Sequence, residues 1–153
     1  MEDLVLFQLA ATGLILLISL IEALILQSRG PGSFDWSEAW LSVGDLIGRR
    51  VLALLPLSLA APVFAWAWEH RLFTIELGGV AEFLLLFVGL EFFYYWYHRT
   101  AHRVRFFWAT HAVHHSPNQL TLSTAFRLGW TGKLTGTGLF FTPLALLGFE
   151  PKV

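Results

Sequence analysis

From Leu4 to Leu26 the chain carries one charge, Glu22, in a run of about 23 residues, long enough to cross about 30 Å of hydrocarbon as a helix. Hydrocarbon offers no water to peptide groups, so a segment like this must satisfy its own backbone, and only a helix does so within one segment. Composition agrees over the whole length. Hydrophobic residues make up 56% of 153 and charged residues only 14%, with a mean hydropathy of +0.61. That is too apolar for a water-soluble domain and implies an integral membrane protein. The start, Met1-Glu2-Asp3, lacks the basic region of a signal peptide, so the first run is expected to stay uncleaved.

The remaining spans follow the same reasoning. Gln27 to Gly48 is a polar connection, with a short interfacial helix expected over Asp35–Trp40 and its tryptophans at headgroup depth. A second span is expected at 51–68, kinked by Pro56 and Pro62, and a third at 72–97. Between them His70 reads as a surface residue. Glu82 falls near mid-bilayer in this scheme and should be buried or neutral there. Ser116-Pro117-Asn118 stops helix, Thr121 to Arg127 can form a short one, and 137–150 reads as one arm of a partial membrane hairpin. The fold class expected is all-α: one membrane domain, a helical bundle with a histidine-bearing helical cap over 98–130.

Five of the six histidines lie between His98 and His115. His98 and His102 are spaced i, i+4, and His111, His114 and His115 are spaced i, i+3, i+4, so each set falls on one face of a helix. Neutral imidazole is a common ligand for first-row metals, and two rings one turn apart can grip one ion. The blander reading is a wet interfacial run of His and Arg capping a membrane helix. Glu91, Tyr95, His98 and His102 form a stripe that enters the cluster from the membrane side. Glu91 and Tyr95, with Asn118 beyond the last pair, are candidates to orient the imidazoles, although Glu91 equally suits a carboxylate snorkelling to the interface.

The chain has no cysteine, which excludes disulfides, thiolate-bound zinc and iron–sulfur clusters. Neither histidine set contains the glutamate of H-E-x-x-H, which argues against a zinc hydrolase, and the clustering past one helix end argues against bis-histidine haem. A net charge of −1 gives no basic field for nucleic acid. Arginine and lysine are instead placed by location: Arg29, Arg49 and Arg50 in the first connection, Arg71 in the second, and Arg99, Arg103, Arg105, Arg127 and Lys133 after the third span. With three spans this alternation puts the N-terminus outside and the histidines in the cytoplasm. The membrane would be the inner membrane in a bacterium and the endoplasmic reticulum in a eukaryote.

The stretch from Leu90 to Arg127, LEFFYYWYHRTAHRVRFFWATHAVHHSPNQLTLSTAFR, closely resembles the first two histidine boxes of the fatty acid hydroxylase and sterol desaturase superfamily, non-haem di-iron membrane enzymes. His98-Arg99-Thr100-Ala101-His102 resembles its H-x-x-x-H box and His111-Ala112-Val113-His114-His115 its H-x-x-H-H box. Tyr95-Trp96, Trp108, Ser116 and Ser123-Thr124-Ala125 look like its bacterial sterol-desaturase and alkylglycerol-monooxygenase side. The likeness covers about residues 70–150. Glu91 stands where the family usually has Asp, and the family's third histidine box has no counterpart in these residues.

The resemblance implies two iron ions held by His98, His102, His111, His114 and His115, with additional ligands outside this chain. It also implies an O₂-dependent hydroxylation or desaturation of a membrane lipid, with electrons from cytochrome b5, a ferredoxin or a reductase. Five imidazoles do not fill two irons with five or six positions each, so an N-terminal piece or a truncated homologue is expected. The alternative is a catalytically inactive, membrane-anchored metal-binding or interaction protein.

Overall fold

The computed structural model describes residues 2–151, and apart from one isolated parallel bridge between Ile75 and Phe149 their regular structure is helical. The helices are α1 (Glu2–Gln27), α2 (Trp36–Ala53), α3 (Ala61–Glu69), α4 (Val80–Ala101), α5 (Arg105–His111) and α6 (Thr142–Leu147), with 3₁₀ turns at Leu122–Phe126 and Thr137–Phe141. They pack as two compact units, one of Met1–Val51 with Val113–Gly129, the other of Leu52–Ala112 with Trp130–Val153.

In the first unit α1 is apolar all round and leaves Leu14, Leu17, Ile21 and Leu24 exposed. Its buried positions are small, Ser19 and Ala23, and the Ser19 hydroxyl donates back to the Ile15 carbonyl at 2.8 Å. Glu22 does not lie idle in the apolar run. Its carboxylate accepts the backbone N–H of Leu122 at 2.6 Å, which satisfies an orphan donor where the 3₁₀ turn begins. α2 starts at Trp36, within the expected interfacial helix, and runs further than it, to Ala53. Asp35 caps it, accepting from the Ser37 N–H at 2.9 Å and the Glu38 N–H at 3.1 Å. Along α2 the residues Glu38, Ser42, Asp45 and Arg49 follow i, i+4, i+7, i+11, one polar stripe, while Trp40, Leu41 and Ile47 are exposed on other faces. The polar stripe faces inward, onto residues 116–128 of the same unit.

In the second unit the closest packing uses small residues: Ala60, Ala67, Ala101 and Ala145 are buried, with Leu144 and Phe149. A methyl group added at Gly138 would press on the Ala60 methyl at 3.0 Å, so the backbones approach as closely as side chains permit. The last carbonyls of α6 are satisfied from outside the helix, by Leu72 N–H on Leu146 O at 2.8 Å and Ile75 N–H on Gly148 O at 2.9 Å. Gly148 makes this possible with a φ of +127°.

Two helices, Leu9–Gln27 and Val80–Ala101, are long and apolar enough to cross a membrane, and both leave nearly all their apolar side chains uncovered. They correspond to the first and third expected spans. The third begins later than expected, because Leu72 and Ile75 pair with the end of α6 and the helix starts only at Val80. Glu82 therefore sits in the first turn of α4, where the helix dipole favours a carboxylate, and not at mid-bilayer. The span expected at 51–68 is not a kinked helix. α2 ends at Ala53, before Pro56, and α3 restarts at Ala61 with Pro62 in its first turn, where proline costs no hydrogen bond. With that span interrupted, the three-span count that placed the N-terminus outside loses its premise. The 3₁₀ turn Leu122–Phe126 falls where a short helix was expected, and His70 is exposed, its Nδ1 donating to the Trp66 carbonyl at 2.8 Å.

Candidate metal centre

α4 is mostly apolar, with Glu82 and Glu91 its charges before the last two turns, where His98 and His102 follow each other one turn apart on the same face. His102 closes the helix: its backbone N–H reaches the His98 carbonyl at 3.1 Å. The N–H groups of Arg103 and Val104 then both fold onto the Thr100 carbonyl, at 2.9 and 2.8 Å, and this tight turn launches α5 directly from the end of α4. The last residue of α5 is His111, only 5% exposed. Next to it the Thr110 hydroxyl pairs with the Thr131 hydroxyl at 2.6 Å, tying down the end of α5.

Three imidazoles converge as a result. His98 Nε2 lies 3.0 Å from His102 Nε2, which lies 3.3 Å from His111 Nε2. Aromatic rings fix their planes: Tyr94 against His98 at 5.6 Å between centroids, Trp108 against His102 at 5.5 Å, and Tyr97 edge-on to His111 at 6.3 Å. Metal–nitrogen bonds of about 2.1 Å put cis ligands about 3.0 Å apart at 90° and about 3.4 Å apart at a tetrahedral angle. The observed separations fall in that interval, so these residues fit one face of a metal ion's coordination shell. Two Nε2 atoms this close cannot both carry a proton, so each short contact exposes at least one lone pair, the group a metal ion would take.

His114 and His115 belong to the first unit. They do not continue α5 as the i, i+3, i+4 spacing suggested, because the helix ends at His111 and turns follow. His114 is half-buried, and its Nδ1 lies 3.0 Å from the Arg127 carbonyl. A carbonyl only accepts, so Nδ1 carries the proton and Nε2 carries the lone pair, the tautomer a metal ligand needs. His115 is exposed, its ring 5.2 Å from that of His114.

The three orienting candidates occupy other partners or open surface. The Tyr95 hydroxyl accepts from Arg99 at 3.0 Å, the Asn118 amide donates to Glu38 at 3.2 Å, and Glu91 is exposed two turns before His98. Sequence reasoning missed the residues that do touch the imidazoles, Tyr94, Tyr97 and Trp108. Tyr94 stands i, i+4 from His98 and Trp108 stands i, i+3 from His111, spacings that were legible in the sequence. It also missed Arg127 and Glu38, 89 residues apart and joined by a 2.7 Å ion pair.

The fatty acid hydroxylase family model matches residues 83–153, a segment that begins in α4 and takes in all five clustered histidines. The chain belongs to the fatty acid hydroxylase superfamily. Among curated proteins, human alkylglycerol monooxygenase is 35% identical over 133 residues, 86% of this chain and 29% of the relative. The zebrafish (Danio rerio) alkylglycerol monooxygenase is 36% identical over 107 residues, 70% of this chain and 24% of the relative. That of Xenopus tropicalis is 30% identical over 122 residues, 74% of this chain and 27% of the relative. The chain thus spans less than a third of the length of these relatives. No solved structure matches it. For a member of this superfamily, the family match and the imidazole convergence fall on the same residues, His98, His102 and His111.

Proposed function

We propose that His98, His102, His111, His114 and His115 hold two non-haem iron ions and that the chain serves the O₂-dependent hydroxylation of a membrane lipid. The observation that carries this reading is the convergence of three Nε2 atoms at 3.0 and 3.3 Å. Bound iron supplies the capacity to activate O₂ toward an unactivated C–H bond, which no side chain has. One oxygen atom enters the C–H bond and the other leaves as water, which consumes two protons and two electrons. The electrons come from an external donor such as cytochrome b5, a ferredoxin or a reductase.

The chain's own residues bind, orient and exclude water. α4 and α5 carry three imidazoles to one point, and the rings of Tyr94, Tyr97 and Trp108 pack against them. His114 presents Nε2 because the Arg127 carbonyl holds the proton of Nδ1. Two irons need more donors than five imidazoles, and the rest come from water or from ligands beyond these residues.

A lipid substrate is supported by the names of the relatives, alkylglycerol monooxygenases, which point to an ether lipid and to hydroxylation over desaturation. Lipid exposure of α1 and α4 brings the bilayer to the protein, and the first unit has a half-open apolar pocket of about 110 Å³ lined by Leu16, Leu20, Ala23, Phe34 and Phe126 among others. For the side of the membrane, α4 carries its own signal. Arg99, Arg103 and Arg105 flank its histidine end, while Arg71 alone among the basic residues flanks the other, beside Glu76 and Glu82, which favours a cytoplasmic metal centre.

The test is iron content by elemental analysis, together with O₂-dependent conversion of an alkylglycerol in membranes supplied with an electron donor. Iron retained by the wild-type chain and lost from His102→Ala supports the reading. A fully helical protein that binds no iron overturns it, and iron binding without any lipid product would leave a membrane-anchored metal-binding protein.

A further inference from the structure

Three successive residues of the first unit are held by the inward stripe of α2. The Phe126 carbonyl accepts from Arg49 NH2 at 2.8 Å. The Arg127 guanidinium meets Glu38 through NH1 on Oε2 at 2.7 Å and NH2 on the Glu38 backbone carbonyl at 2.7 Å, and NH1 also reaches the Ser116 hydroxyl at 3.2 Å. The Leu128 N–H donates to Asp45 Oδ2 at 3.0 Å, and that same oxygen receives Arg49 Nε at 3.1 Å. One backbone group before Arg127, its side chain, and one backbone group after it are therefore fixed. The group left between these clamps is the Arg127 carbonyl, the acceptor of the His114 Nδ1 proton.

We infer that the Glu38–Arg127 ion pair, seconded by Asp45 and Arg49, positions His114: it pins the Arg127 carbonyl and thereby sets the tautomer that turns Nε2 into a ligand. Arg127 is 5% exposed and the Glu38 side chain 14%. Taking both charges out of water is expensive, and apolar residues of similar volume commonly stabilise a fold as well or better. The pair thus needs a use beyond stability, and the only polar function on the Arg127 main chain that faces a candidate ligand is this carbonyl. Metal-bound imidazoles as a rule donate their second N–H to a carbonyl or carboxylate, and loss of such a partner weakens metal binding. Glu38 and Arg127 are positioning residues, since neither touches the ion. The consequence for metal affinity rests on the iron reading above, whereas the tautomer itself does not.

The experiment uses the full chain in nanodiscs, without metal and then titrated with cobalt(II). Histidine ring ¹⁵N shifts, with His114 assigned by its loss in His114→Gln, report the tautomer of the metal-free protein. Wild type should show the Nδ1–H form. Glu38→Gln, which keeps side-chain volume, should give a mixture with the Nε2–H form, and Glu38→Asp, which restores the charge, should recover most of the wild-type signal. Cobalt affinity should fall about tenfold or more in Glu38→Gln, in the range seen when outer partners of metal ligands are removed. An unchanged His114 signal in Glu38→Gln, with only a lowered melting temperature, would make the pair merely structural and overturn the inference. Wild-type protein that takes up no cobalt would sink the iron reading alone, because the ring shifts still decide the positioning.

Discussion

The two sets of histidines are fixed by different physics. In the second unit, His98, His102 and His111 owe their places to helix geometry: one turn separates the first pair at the end of α4, and a three-residue reversal brings in the third from α5. In the first unit, His114 sits in irregular backbone, where no periodicity can aim a ring, and a buried ionic clamp from α2 does so instead. A helix positions side chains from residues near in sequence, whereas irregular segments borrow rigidity from residues far away. The two sets should therefore fail in different ways.

The largest effect is expected from Arg127→Ala. Glu38 would be left buried and unpaired, which costs about 3–5 kcal/mol. Unfolding of the chain in mild detergent should shift accordingly, and hydrogen exchange should quicken first in residues 113–129. Equal protection of α5 and 113–129 in this variant would erase the contrast between the sets.

His102→Ala should be the reverse case. His98, His102 and His111 each lie against the other two, so loss of His102 leaves two imidazoles where three converge. Metal affinity should drop about a hundredfold, about 2.8 kcal/mol at 1.4 kcal/mol per tenfold. Helix content measured by circular dichroism should stay at the wild-type level, since an exposed residue at a helix end stabilises little. A comparable loss of helix would show that the triad is structural and not poised for an ion.

A smaller effect should come from Gly148→Ala. The φ of +127° is strained for any L side chain, and the new methyl would collide with the Phe73 carbonyl, so the pairing of 72–75 with 146–148 must loosen. We expect about 1–3 kcal/mol of destabilisation confined to the second unit, read as faster exchange of the Leu72 and Ile75 amides with the amides of α2 unchanged.

What the sequence made legible follows the same division. α1 and α4 announced themselves by continuous hydropathy, and the His98–His102 pair by its i, i+4 spacing, because both signals are local and periodic. The segment 51–68 misled because two prolines six residues apart fit either a kink or a break. Ser58, whose hydroxyl accepts the Ala61 N–H at 3.3 Å just ahead of Pro62, was the sign of a restart. The H-x-x-H-H spacing suggested one helix, yet α5 stops at His111, so spacing alone did not show how His114 is aimed. The Glu38–Arg127 pair had no local signature at all. Its charges read as ordinary surface residues until the fold joined positions 89 apart in sequence.

The smallest effect tests how deeply the clamp depends on α2 itself. Asp35 caps that helix, and its hydrogen bonds, first from the Ser37 hydroxyl at 2.6 Å and then from the Glu38 N–H, hold its carboxyl below the ordinary aspartate value. A lowered value means that the folded state favours the carboxylate. Its contribution is complete above the ordinary aspartate range and fades as pH falls through the lowered value, when the carboxyl takes a proton and stops accepting. Acidification should therefore fray the first turn of α2, seen as faster exchange at the Ser37 and Glu38 amides. Asp35→Asn should show the neutral-pH baseline of that fraying without the pH dependence, because asparagine caps but does not titrate. Glu38 lies in this first turn, so fraying should pass to the His114 ring signal and leave that of His98 unmoved. Movement of both rings together, in Asp35→Asn at neutral pH, would mean that the two histidine sets share one support after all.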